Sequence, residues 1–170
     1  MVDPGYLDSA RKRVDILVAG WIRTGDLSPL VAQLRHTNII YALSGAIALG
    51  ETRSPAAASP LQEILRMGDD LVSHFASDPT QIALIEGLGF GMPDTLKAAA
   101  LAGKAREHAS WLCEEVERSL KHLSEPASPQ LIKQQKRKSQ GNCVMCGRQL
   151  GFFDKLLRGT RHSGCTRFSD

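Results

Sequence analysis

Residues 93–123 read PDTLKAAALAGKAREHASWLCEEVERSLKHL, and Ala98, Leu101, Ala105, Ala109, Leu112, Val116, Leu120 and Leu123 recur along them at steps of three and four. Such steps keep side chains on one face of a helix with about 3.6 residues per turn, whereas a half-buried strand would alternate. The spacing predicts one long helix that starts at Pro93, with one face buried along its whole length. Glu114, Glu115 and Glu117 read as a solvated acidic face of that helix. His108 borders the apolar stripe and reads as a hydrogen-bonded interior histidine. Cys113, next to Leu112, reads as a small buried hydrophobe.

Upstream, helical signals repeat behind plain punctuation. Asp8 or Ser9 is placed to cap a first helix running to about Arg23, with Val14, Leu17, Val18 and Trp21 on one face. GDLSPLVAQLRHTNIIYALSGAIALG, residues 25–50, offers Ser28 as cap, Pro29 at the first helical position and Gly50 as a stop. Leu30, Leu34, Ile40, Leu43 and Ile47 supply its stripe. After Asn38 it is apolar on most sides, which places it at the centre of a bundle. TRSPAAASP, residues 52–60, is a connector, and Ser59-Pro60 opens a third helix through LQEILRMGDDLVSHF. Asp78-Pro79 then opens TQIALIEGL. The expectation is an all-α fold, a bundle of about five helices joined by short links.

Alanine and leucine supply much of the 42% hydrophobic content, and aromatic residues only 5%, which suits helices better than sheets. The opening MVDPGYLDSARKR runs straight into charged residues, unlike a secretory leader. The longest apolar stretches, VDILVAGWI and NIIYALSGAIALG, fall short of the ~20 residues that span a bilayer. A soluble, cytoplasmic protein without membrane partners is therefore expected. Charge divides the chain. Residues 1–125 carry 12 Lys/Arg against 16 Asp/Glu, while residues 126–170 carry 9 against 2. The tail is basic although the body is acidic.

SEPASPQ, residues 124–130, ends the long helix with Pro126 and Pro129, and LIKQQKRKSQGN follows without an apolar face. Three segments result: a helical bundle over 1–124, a basic linker over 125–141 and a small module over 142–170. That module reads CVMCGRQLGFFDKLLRGTRHSGC from 143 to 165. Cys143 and Cys146 form one tight pair, His162 and Cys165 another, with 15 residues between Cys146 and His162. Zinc takes four tetrahedral ligands, with thiolates at about 2.3 Å and imidazole nitrogen at about 2.0 Å. Gly147 favours the turn after the first pair, and Gly159 and Gly164 supply turns around the second. Leu150, Phe152, Phe153, Leu156 and Leu157 are available to cover the ion. Four protein ligands leave no position for substrate water, so the expected Zn2+ is structural. A redox role for the first pair would need a thioredoxin-like βαβ setting, which this stretch lacks.

CVMCGRQ, KLLRG and HSGC resemble the zinc-binding domain of Clp-type protein unfoldases, which reads C-x-x-C-G-K, KLIAG and C-x-x-C. The same pairs are similar to the first half of a LIM module. Both resemblances imply a small treble-clef or ribbon fold that binds proteins, with Cys143, Cys146, His162 and Cys165 as ligands. This chain carries a histidine where the unfoldase domain has cysteine. The unfoldase's nucleotide-binding signature, G-x-x-x-x-G-K-[ST], does not occur in the body.

Other groups carry weaker signals. GLGFGMPD, residues 87–94, is glycine-rich but matches no dinucleotide or phosphate fingerprint, and reads as a corner before a Pro-started helix. His36 has no Asp, Glu or His at i+3 or i+4, and His108 and Cys113 are five residues apart, well separated around their helix. Lys133, Lys136, Arg137, Lys138, Arg148, Arg158 and Arg161 form a basic set around the module, suited to an anionic partner. The reading that follows is a non-enzymatic zinc-finger adaptor whose helical body docks to a protein partner or self-associates. The alternative is a nucleic-acid-binding accessory protein using the basic linker and the zinc module.

Overall fold

The structure, a computed structural model, describes residues 2–125. They form seven α-helices and one short 3₁₀ turn, with no strand among the described residues. Over the described residues the all-α expectation is met, but two of the anticipated helices are each divided, so the five helices expected there become seven.

Helix α1 spans Pro4–Thr24 and begins earlier than Asp8 or Ser9 would place it. Asp3 is its cap, its carboxylate accepting from the Gly5 N–H at 2.8 Å. Gly25, at φ 73°, ends it in the left-handed conformation, and its N–H returns to the Trp21 carbonyl. The second expected helix breaks between α2, Ser28–Leu34, and α3, Ile39–Glu51. Here polar side chains claim backbone donors that a continuous helix would use. His36 Nδ1 accepts from the Asn38 N–H at 3.0 Å, and Asn38 accepts from the Ile40 N–H at 3.1 Å to cap α3 afresh.

A 3₁₀ turn over Pro55–Ala57 leads into α4, Ala58–Met67, so Ser59-Pro60 falls inside its first turn rather than at its cap. Gly68, at φ 53° and ψ −122°, divides α4 from α5, Asp69–Ala76. A side chain is rarely tolerated in that conformation. Helix α6, Pro79–Leu88, starts as the sequence indicates, with Asp78 accepting from the Thr80 N–H at 2.9 Å. Helix α7 runs over Asp94–Ser124.

Two helices organise the interior. Helix α3 packs against α1, α2 and α7, and α7 in turn against α4, α5 and α6. The central position predicted for α3 is observed: Ala42, Leu43, Ala46, Ala48 and Leu49 are wholly buried. Each buried leucine contributes roughly 1.5–3 kcal/mol through removal from water. Ser44 ties α3 to α1 by donating to the Ala10 carbonyl at 3.2 Å and stays satisfied through the Ile40 carbonyl at 2.6 Å.

The stripe of α7 holds over only part of its length. Ala105, Ala109, Leu112 and Val116 are buried, but no residue over 94–103 is, and Ala98 is exposed. Glu115 is also corrected. It is 5% exposed and so does not belong to a solvated face. Its position, three residues after Leu112 and beside Val116, lies within the buried arc.

Candidate functional site

The four expected zinc ligands, Cys143, Cys146, His162 and Cys165, lie outside the described residues. So do Lys133, Lys136, Arg137, Lys138, Arg148, Arg158 and Arg161. Among the described residues no group of three or more His, Cys, Asp or Glu is placed to hold a metal ion. Nor is any helix among them long and apolar enough to cross a membrane. Three regions built on α7 bear on the sequence-based expectations.

Near the C-terminal end of α7, a polar cleft of about 450 Å³ opens between α1, α3 and α7, lined among others by Arg11, Glu51, Glu115, Arg118 and His122. Burial pushes the Glu115 carboxyl above its ordinary range, and Arg118 and Arg11 partly offset this. Arg118 donates to Glu115 directly. Arg53 reaches across from the end of α3, donating to the carbonyls of His122 and Glu125 and lying 3.0 Å from His122 Nδ1. Gly50 and Ser119 form the close crossing beneath, since a Cβ at Gly50 would stand 3.0 Å from the Ser119 side chain. Arg11, Arg118 and Lys121 are matched in the lining by Glu51, Glu115 and Glu125. The lining charges balance, with Arg118–Glu115 as a direct ion pair within α7, and leave no surplus charge for an anion.

In the middle of α7, His108 is fully buried among Tyr6, Phe75 and Trp111, with ring centroids 5.7, 5.9 and 5.4 Å away. It is interior as expected, but neither ring nitrogen has a hydrogen-bond partner. Burial holds its pKa below the ordinary value, Lys104 adds to the effect, and Glu107 and Asp78 oppose it. Cys113 is half-buried rather than buried, and burial followed by Glu117 pushes its thiol up. A thiol held protonated is a poor nucleophile. No Cys–His catalytic pair follows from these two residues.

At the N-terminal end of α7 the glycine-rich corner proves informative for a reason other than anion binding. The Gly89 N–H caps α6 on the Ile85 carbonyl at 2.8 Å, and the Met92 N–H returns to the Gly89 carbonyl at 2.8 Å. Gly91, at φ 82°, completes the turn. This tight path leaves Phe90 at its tip, 95% exposed, with Leu88 at 79% beside it. Leu84, Met92 and Leu96 are also exposed. Between α6 and α7 runs an apolar groove of about 300 Å³, walled by Leu84, Ile85, Leu88, Met92 and Ala100, with Lys97 and Lys104 on its rim.

Monomeric proteins rarely expose a contiguous apolar patch of this kind, and such patches mark interaction sites. The sequence held the signal in TQIALIEGL, which is apolar on every side and carries a single charge, Glu86. A helix of that type needs cover all round, but only Gln81 of α6 is buried. No protein-family model, curated protein or solved structure matches this chain.

Proposed function

We propose that this chain is a non-enzymatic adaptor of the cytoplasm. Its helical body docks to a protein through the α6–α7 hairpin, and its tail, held by a structural Zn2+ on Cys143, Cys146, His162 and Cys165, recognises a second protein. The observation that carries the docking half is the exposed apolar set of Leu84, Leu88, Phe90, Met92 and Leu96 around one groove. The spacing of the two ligand pairs carries the other half. Two baits test it: the chain with Leu88→Glu and Phe90→Glu, and the chain with Cys143→Ser and Cys146→Ser. Quantitative capture against wild type should show each bait losing a different set of proteins, and elemental analysis should show zinc lost from the second bait alone. Identical captures from all three chains would sink the adaptor reading.

The charge of residues 126–170 favours a second reading, in which the tail contacts the phosphates of DNA or RNA. Binding that weakens steeply with salt and disappears in Lys136→Ala, Arg137→Ala, Lys138→Ala would establish it.

A further inference from the structure

The hairpin that docks in the reading above has a shape that specifies its occupant. We infer that the α6–α7 face pairs with the same face of a second copy of this chain about a two-fold axis. Phe90 of each copy then enters the groove of the other, against its Leu88 wall. This inference rests on the docking reading and goes beyond it by naming the partner.

Shape is the first argument. Knob and hollow lie side by side on one surface: Phe90 stands 95% exposed at the turn, and the groove next to it does not count Phe90 among its walls. The described residues therefore leave the hollow unfilled. A two-fold operation places residue i of one copy on residue j of the other and the reverse, so each knob meets a hollow. A space of about 300 Å³ accommodates the phenyl ring of Phe90.

Charge is the second argument. The one charged side chain of α6 is the acid Glu86, while the groove rim carries the bases Lys97 and Lys104. Laid into the opposite groove, α6 brings its acid to that rim. Lys97 pairs within the chain with Asp94 at 3.7 Å, and Lys104 with Glu107 at 2.7 Å while it also lies 5.2 Å from the Trp111 ring centroid. Pairs of this sort contribute about 0–1 kcal/mol and exchange readily. A strongly charged partner would find no matching field on so nearly neutral a face.

Area is the third. The five exposed apolar side chains present on the order of 600 Å², near the ~800 Å² that each partner commonly contributes to a stable interface. Two such hairpins together make four helices around one apolar seam, the arrangement in which an all-round apolar helix becomes covered.

Sedimentation of the full-length chain tests the inference across the micromolar range, on wild type, Leu88→Glu/Phe90→Glu and Glu86→Lys. Wild type should sediment with twice the mass of one chain. The double variant should dimerise on the order of 100-fold more weakly or not at all, since charges would enter the centre of the contact. Glu86→Lys leaves the apolar face whole and should weaken the dimer through repulsion with the lysine rim, with unchanged helicity by circular dichroism. A dimer indifferent to all three substitutions places self-association elsewhere and overturns the inference. So does a wild-type monomer. If that monomer's double variant still loses captured proteins, the docking reading stands with a different occupant; if it loses none, both readings fall.

Discussion

Over its C-terminal half α7 is embedded in the bundle, with Ala105, Ala109, Leu112 and Val116 buried and Ser119 pressed against Gly50 of α3. Over residues 94–103 the same helix buries nothing fully, and the helix beside it, α6, has Gln81 as its single buried residue. The exposed half is the richer in alanine and leucine, with six of the ten residues over 94–103 against five of the 21 over 104–124. What differs is the company they keep. One half has α3, α4 and α5 to cover it, and the other has an apolar helix that itself wants cover. Apolar content therefore does not by itself say whether a face is core or contact surface, and substitutions at matched positions should separate the two.

The largest contrast lies in leucine truncation. Leu112→Ala removes a side chain that is 1% exposed, and should cost about 2–5 kcal/mol in urea unfolding because it leaves a cavity. Leu88→Ala acts on a side chain 79% exposed and should stay within about 0.5 kcal/mol at concentrations where the chain is a monomer. Equal losses at both sites would mean that the hairpin is part of the folding core, and the distinction between the halves would fail.

Glycines sharpen the same contrast with smaller effects of opposite sign. A Cβ on Gly45 would stand 2.3 Å from the backbone nitrogen of Leu34 and 2.7 Å from its Cα, so α2 would have to move off α3. Gly45→Ala should therefore destabilise by about 3 kcal/mol, the upper end of the usual cost of overpacking. Gly103 meets nothing within 4 Å and sits inside a helix, where alanine is favoured by about 0.8–1.0 kcal/mol. Gly103→Ala should raise the melting temperature. A fall instead would show the first turns of α7 to be crowded by something the described residues do not include.

How much of this was readable in the sequence depends on what each feature rests on. The long helix, its start at Pro93 and the cap at Asp78 are local, and they were legible. The break at residues 35–38 was not, because His36 and Asn38 act on backbone donors through geometry that a smooth apolar stripe hides. The Gly68 break was hidden likewise: a glycine inside a periodic pattern is tolerated in many helices, and only its φ of 53° makes it a stop here. Glu115 was assigned to solvent because acids usually face it, although its spacing from Leu112 pointed inward. The docking face was missed because TQIALIEGL read only as a helix and GLGFGMPD as a corner, and only the fold shows that no described residue covers Leu84, Leu88 and Phe90. The zinc ligands belong to residues whose pattern is strong in sequence and which lie outside the described part.

The smallest expected effects concern two groups on the embedded half of α7, and their signs oppose. The His108 imidazole is held below its ordinary 6.5 by burial, so the unfolded chain takes up its proton first. Its contribution is whole above that value and is lost as the pH falls toward the depressed folded value. The Glu115 carboxyl is held above its ordinary 4.5, again by burial. Its contribution is whole below that value and is lost as the pH rises through the raised folded value. His108→Phe should therefore gain on wild type as the pH falls below 6.5, while Glu115→Gln should gain on it as the pH rises above 4.5. Urea unfolding at a series of pH values reads both slopes. Two variants that run parallel to wild type would show that neither group changes protonation between folded and unfolded chain, and that the embedded half is wetter than its burial implies.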